Sequence, residues 1–327
     1  MPIIDKSTYK PPHYFRNTHL NTLYPAIFRA VKNVDLQRIR INTPDGDFFD
    51  ADWSYAHNSD TPSQRLLVCI HGLEGHARRP YMAGMMKRFN TEGYDAVGLN
   101  MRGCSGEDNL LLASYHSGFT KDIAFFVDKI VAEKHYDEIV IVGFSVGGNI
   151  VLKYAGEKGK NISPKVKKVI AFSVPCDLES GSIEFEKPHN RFYQWQFLVT
   201  LKQKAKAKYK KFPGAFNIEE ALKAKFFRQF DDHFTAPVNG FKDAIDYWHK
   251  ASSLPYLSNI CVPTLLVNAT NDTFLGKTCF PIDVAEKSSH FYLEMPQSGG
   301  HLGFMSPDTE GYLWTENRAI DFVLRSI

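Results

Sequence analysis

The chain has 327 residues, 43% of them hydrophobic and 23% charged, with a formal net charge of +3 when the histidines are neutral. That is enough apolar material for one large domain or two smaller ones, and far too little charge to mark a nucleic-acid-binding surface. The five cysteines (Cys69, Cys104, Cys176, Cys261 and Cys279) form no CxxC pair, and their odd number suits buried thiols in a reducing compartment better than a disulfide framework.

The first residues, MPIIDKSTYKPPHYF, carry charges and prolines where a secretory signal needs an apolar stretch. The longest apolar runs, LLVCI at 66–70 and IVIVG at 139–143, are strand-length, against the ~20 apolar residues of a membrane-spanning helix. A cytoplasmic protein is expected, with peripheral membrane contact left open.

In chain order, Leu36–Ile41 and Phe48–Trp53 alternate around the turn Pro44-Asp45-Gly46 and read as a hairpin. Leu66–Ile70 is a continuous apolar run of the kind buried in a parallel sheet. A helix opened by Pro80 and closed near Gly93 follows, then a strand at Asp95–Leu99. Residues 120–135 predict an amphipathic helix with Thr120 as cap and Ile123, Phe126, Val127, Ile130 and Val131 on one face. Glu138–Val142 is a strand, followed by a glycine-punctuated turn and a helix to about Glu157. Lys168–Ser173 is another strand. After a long interruption the alternation resumes with Pro263–Ala269, a helical stretch, His290–Met295 and a final helix near 312–325. These eight strands predict one mostly parallel, doubly wound α/β sheet with helices on both faces. Residues 1–176 and 259–327 form its core, and 177–258 an inserted helical lid.

The insertion is rich in aromatics, among them Phe185, Phe192, Tyr193, Trp195 and Phe197, expected to form mostly its own core. It also holds KQKAKAKYKK at 202–211, with six lysines. Lysine at every second position makes no single helical face, so the run reads first as a solvated helix and second as a contact for anionic lipid.

Gly143-Phe144-Ser145-Val146-Gly147 lies between a predicted strand and a predicted helix, the context that GxSxG requires. Ser145 is the expected nucleophile. It would sit on a strained turn, with glycines where side chains two positions away would clash, and the N-terminus of the next helix favours developing negative charge. A serine hydroxyl needs a base. In this architecture the chain order is serine, acid, histidine, which points to Asp272 after strand 263–269 and His301 in Ser298-Gly299-Gly300-His301-Leu302-Gly303-Phe304, with Asp177 as the fallback acid. The turn His71-Gly72-Leu73-Glu74-Gly75 ends the third strand, and the N–H groups of Leu73 and Val146 are the candidate oxyanion hole. One such donor is worth ~3 kcal/mol in the transition state. His71 is expected to brace that turn. His71 and His76 lack a third ligand at metal-site spacing, so no metal is expected.

Together these segments resemble the YheT-type α/β hydrolases, the type 4 group of the AB hydrolase superfamily, a set of predicted esterases. The resemblance runs from Asn17-Thr18-His19-Leu20-Asn21-Thr22 through His71–Gly75, Asn100–Gly106, Tyr115–Gly118 with Thr120 and Asp122, and Gly143–Gly148. It continues in Phe230–Pro237, Gly240-Phe241, Tyr247-Trp248 and Ser252-Ser253 to Gly299-Gly300-His301. It implies a lidded α/β-hydrolase core that hydrolyses short-chain or lipid-like carboxylic esters, with Ser145, Asp272 and His301 as nucleophile, acid and base. Where the family commonly carries Asp-Asp-Pro, this chain has Asn271-Asp272-Thr273, which keeps the acid and alters its turn. No counterpart to the membrane anchors of eukaryotic relatives is expected, and no histidine has an aspartate five residues on, as an acyltransferase-type His-x4-Asp motif would need.

The expected chemistry is acyl transfer through an acyl-enzyme, with a small-molecule or lipid ester as partner and no metal or organic cofactor. Acyl transfer to an alcohol, thioester cleavage and a non-catalytic binding protein are the alternatives. Arg102 and His116 have no derived catalytic role, and nothing in the sequence sets an oligomeric state.

Overall fold

The structure, a computed structural model, describes residues 2–56 and 62–324. Nine strands form one sheet: β1 (Ile3–Ile4), β2 (Gln37–Asn42), β3 (Phe48–Ser54), β4 (Arg65–Ile70), β5 (Asp95–Leu99), β6 (Glu138–Phe144), β7 (Val166–Phe172), β8 (Thr264–Val267) and β9 (Phe291–Glu294), in the order β1-β9-β8-β7-β6-β4-β5-β3-β2. All pairings from β1 to β5 are parallel. β3 runs antiparallel to both β5 and β2.

The sheet therefore has one strand more than the eight expected. β1 is two residues long, pairing Ile3 with Leu293 and Ile4 with Glu294. Two residues are too few for any periodicity, so only the docking against β9 defines it. The hairpin of β2 and β3 turns where expected, with the Thr43 N–H bonded to the Asp47 carbonyl at 2.9 Å.

Twelve α-helices accompany the described strands: α1 (Thr18–Phe28), α2 (Pro80–Thr91), α3 (Lys121–Glu133), α4 (Val146–Lys158), α5 (Leu178–Glu186), α6 (Arg191–Lys211), α7 (Ile218–Lys223), α8 (Phe227–Phe230), α9 (Ala236–Asn239), α10 (Ala244–Ala251), α11 (Ile282–Lys287) and α12 (Trp314–Leu324). Residue 325, at the edge of the expected last helix, lies outside the described residues. The central strands are buried on both faces, which is why β4 reads as a continuous apolar run. Leu66, Val68 and Ile70 face a core shared with α3 and α4. Leu67 and Cys69 face a second core with Met82, Met85, Met86 and Phe89 of α2 and Ile320 and Phe322 of α12. Ile123, Phe126, Val127 and Ile130 are buried on α3 as its periodicity predicts. Thr120 does not cap that helix. Its backbone is already helical and its hydroxyl bonds Glu157 at 2.6 Å, a partner 37 residues away.

Helices α5 to α10 all lie between β7 and β8 as a helical insertion. Its inner packing joins Leu198, Phe216, Phe227, Phe230 and Phe234. Tyr193 is buried, but Phe192 and Trp195 face solvent, so they depart from the expectation that these aromatics pack within the insertion. The five cysteines are free thiols. Among the described residues no helix is long and apolar enough to cross a membrane.

Candidate active site

Ser145 joins the end of β6 to the start of α4 with φ +53° and ψ −121°, a backbone state a non-glycine residue adopts only when its surroundings enforce it. The enforcement is steric. A Cβ at Gly143 would run into the carbonyl of Gly147, and a Cβ at Gly147 into the carbonyls of Ile70 and His71. The Ser145 N–H is tied to the Phe172 carbonyl of β7 at 2.8 Å, which leaves the hydroxyl pointing out of the turn.

The structure brings Ser145, His301 and Asp272 together. His301 Nε2 lies 2.9 Å from Ser145 Oγ, and His301 Nδ1 lies 2.8 Å from Asp272 Oδ2. A carboxylate only accepts, so Nδ1 carries the proton and Nε2 is left to accept from the serine hydroxyl. Asp272 follows β8, its side chain is fully buried, and its second oxygen accepts the Phe274 N–H at 3.0 Å. The Phe274 ring packs on the imidazole at 4.3 Å between centroids. Asp177, the fallback acid, is elsewhere engaged. It caps α5 through Ser180 N–H at 3.2 Å and accepts from the Thr278 hydroxyl at 2.5 Å.

Position along the chain did not reveal what holds the His301 loop. The His301 N–H donates to Thr22 Oγ1 at 2.9 Å and the Leu302 N–H to Ser173 Oγ at 3.0 Å. The Met305 N–H donates to Asn21 Oδ1 at 2.9 Å, and the Thr18 hydroxyl donates to the Asn271 carbonyl at 2.7 Å. Thr18, Asn21 and Thr22 all stand on α1, within the Asn17–Thr22 segment that the family resemblance marked without a role. Asn17 starts that helix by accepting the Leu20 N–H.

The turn after β4 sits against the serine: a Cβ on Gly72 would lie 3.1 Å from Ser145 Cβ. Its bracing is as expected and more extensive. His71 Nδ1 donates to the Gly72 carbonyl at 2.7 Å and Nε2 accepts the Met101 N–H at 3.0 Å. Burial pushes the His71 pKa down to about 3, against a smaller opposing effect of the Gly72 bond, so the ring is a neutral strut. Tyr81 accepts the Gly72 N–H at 3.0 Å, and Tyr115 both accepts the Glu74 N–H at 3.1 Å and donates to Glu74 Oε1 at 2.6 Å. Among the described residues, the N–H groups of Leu73 and Val146 have no protein acceptor.

Two cavities meet at this turn. One, of about 250 Å³, contains Ser145 and His301 and is walled by Thr22 and Ala26 of α1 and by Tyr193 and Phe197 of α6. The other, of about 120 Å³, shares Leu73 and Glu74 with it, touches Val146, and runs beneath the insertion among Leu178, Phe185, Leu201, Phe227, Phe234 and Trp248.

Arg102 and His116 are held in ion-pair and ring contacts, and both also line the second cavity. Arg102 is buried among Asp45, Asp47 and Asp122 at 2.9, 3.2 and 2.7 Å. His116 packs edge-on against Phe119, Phe241 and Tyr247. The lysine run is less solvated than its sequence suggests. Lys208 is 2% exposed and bonds Asn109 Oδ1 at 2.6 Å, while Lys204 reaches Glu74 at 2.8 Å.

A mostly parallel sheet that presents a serine on a strand–turn–helix elbow, beside a histidine and a buried aspartate, defines an α/β hydrolase. A model of the alpha/beta hydrolase fold matches residues 65–308, and the chain belongs to that family. It is 33% identical to the candidate esterase YheT of Escherichia coli over 316 residues, covering 96% of this chain and 92% of that protein. It is 28% identical to phospholipase ABHD3 of Mus musculus over 309 residues, covering 93% and 74%. The esterase Pf2001 of Pyrococcus furiosus shares the fold, with a TM-score of 0.56 at 15% identity over 90% of this chain and 97% of that one. By similarity, the chain is an esterase- or lipase-like hydrolase.

Proposed function

We propose that the protein is a serine carboxylic-ester hydrolase working through an acyl-enzyme. The observation that carries this reading is the unbroken hydrogen-bonded relay from Ser145 Oγ through His301 to Asp272, at 2.9 and 2.8 Å. Ser145 Oγ attacks the ester carbonyl carbon as its proton passes to His301 Nε2, and Asp272 stabilises the imidazolium. The oxyanion is held by the Leu73 and Val146 N–H groups, whose lack of a protein acceptor leaves them free for it. The carbon–oxygen bond to the alcohol then breaks, His301 returns the proton to that alcohol, and water repeats the sequence on the acyl-enzyme.

Residues 177–258 act as a lid on a core of 1–176 and 259–327. The cavity beneath the lid takes the acyl chain against Leu178, Phe185, Leu201, Phe227 and Phe234, the apolar part of its wall. The substrates are short-chain or lipid-like esters, a reading to which the names of the two curated relatives lend support.

Fluorophosphonate labelling of the purified protein, with the adduct mapped by peptide mass, tests the nucleophile. Modification at Ser145, and its loss with p-nitrophenyl ester turnover in Ser145→Ala, is expected. Full turnover in that variant would overturn the reading. A p-nitrophenyl ester series of increasing acyl length then reads the depth of the acyl cavity.

A further inference from the structure

Exposed apolar side chains concentrate on the outer faces of two helices that wall the Ser145 cavity. Fourteen large hydrophobic side chains are exposed in the described structure, and eight of them lie in two short segments. Tyr14, Leu20, Tyr24, Ile27 and Phe28 belong to α1 and the turn before it, and Phe192, Trp195 and Val199 to the first half of α6. Helix α1 is amphipathic in the inverted sense. Leu20, Tyr24, Ile27 and Phe28 form a stripe toward water, with Ile27 and Phe28 64% and 68% exposed, while its polar Asn21 is buried against the His301 loop. Phe192, Trp195 and Val199 repeat the pattern on α6 at helical spacing.

The two helices that carry these stripes meet beside one cavity. His19 of α1 stacks on Tyr193 of α6 at 5.8 Å and bonds its hydroxyl at 3.0 Å, and both helices wall the cavity that holds Ser145 and His301. The charge of these two segments is one-sided. No Asp or Glu occurs from residue 6 to 34 or from 187 to 218, and these stretches include Lys10, Arg16, Lys32, Arg191 and Lys202. Arg79, which is exposed, lines the same cavity. Aromatic and aliphatic side chains among cations, with no carboxylate in either stretch, match the interface of an anionic bilayer.

We propose that the outer faces of α1 and of the first half of α6 dock on an anionic lipid surface, so that the Ser145 cavity opens directly onto it. The lysine run at 202–211 is secondary to this contact, because Lys204 and Lys208 are turned inward. The inference rests on the proposed ester chemistry only for what enters the cavity. Vesicle binding needs no turnover, so a failed docking experiment and a failed labelling of Ser145 are separate results.

The test is sedimentation of the full chain with vesicles of phosphatidylcholine, alone or mixed with phosphatidylglycerol, together with the emission of Trp195, the one clearly exposed tryptophan among the described residues. The expected result is binding to the mixed vesicles with a blue shift. In Ile27→Glu/Phe28→Glu, partition should fall on the order of tenfold, with turnover of a soluble short-chain ester retained as the sign of an intact fold. Lys206→Glu/Lys210→Glu should weaken binding far less. The proposal is overturned if the protein stays in the supernatant with both vesicle types, or binds both equally. It is equally overturned if only the lysine variant loses binding, or if Ile27→Glu/Phe28→Glu changes oligomeric state instead of vesicle affinity.

Discussion

Lys204, on the inner side of helix α6, pairs with Glu74 at 2.8 Å, and Glu74 is the residue that follows Leu73 in the turn beside Ser145. The insertion thus holds the turn through an ion pair whose carboxylate is 8% exposed, beside the packing of Leu73 on the insertion's core.

Breaking that pair should alter catalysis more than stability. In Lys204→Met the Glu74 carboxylate keeps Tyr115 but loses its cation, and the neighbouring Leu73 N–H loses its alignment. We expect kcat for a soluble ester to fall about tenfold, equivalent to ~1.4 kcal/mol, with little change in KM. Lys204→Arg should restore most of it. Adding Glu74→Gln should give a coupling of roughly 1–3 kcal/mol in a double-mutant cycle. Equal losses in kcat from the two single variants with strictly additive effects would mean that the pair does not act as a unit.

Asp272→Asn should fold and fail to turn over. An amide nitrogen facing His301 Nδ1 would favour the tautomer with its proton on Nε2, which cannot accept from Ser145. A loss of about 10⁴ in kcat is expected. Steady-state kinetics together with an unchanged circular dichroism spectrum is the check. A loss of less than tenfold would remove Asp272 from the relay.

Arg102→Met should leave the chemistry alone and weaken the fold. The guanidinium is 3% exposed and pairs with Asp45, Asp47 and Asp122. Removing it leaves the buried Asp47 and the mostly buried Asp122 without their cation, at a cost of about 3–5 kcal/mol, readable as a lower urea midpoint with an unchanged slope. Turnover per folded molecule should match the parent.

Stability should fall as pH rises from about 4 to 7, with Asp231 as one source. Its carboxylate faces the cavity under the insertion and accepts from Thr235 at 2.6 Å and from Trp248 Nε1 at 2.9 Å. Burial raises its pKa to about 7 against the lowering by those bonds. The unfolded value is about 3.9, so between roughly pH 4 and 7 the folded chain holds a proton that the unfolded chain releases. Stability from this group is greatest below that window and declines until the folded carboxyl ionises. Asp231→Asn should therefore gain stability on the parent at pH 8 and show a flatter profile between pH 5 and 8 in urea unfolding. An identical pH profile would exclude this group.

How much was legible follows the range of the forces. The strands from β2 to β9 and most core helices were readable because burial on one or both faces imprints a period of 2 or 3.6 on neighbouring residues. The GxSxG turn was readable because its glycines answer clashes within five residues, as at Gly143 and Gly147. Strand β1 was not legible, since two isoleucines carry no period. Helix α6 misled because its direction of burial is set from outside: Lys204 and Lys208 turn inward to Glu74 and Asp108, and Trp195 turns outward.

By itself, then, the sequence determined the alternating α/β sheet, the position of the insertion and the serine elbow, because each depends on side-chain size and polarity over a few consecutive residues. Tertiary structure alone decided that Thr22, Asn21 and Ser173 hold the His301 loop, that Lys204 ties the insertion to Glu74, and that exposed apolar stripes lie on the two helices walling the cavity. Those relations join residues up to 284 positions apart, and contact at that separation is set by the packing of whole elements, which no local pattern encodes.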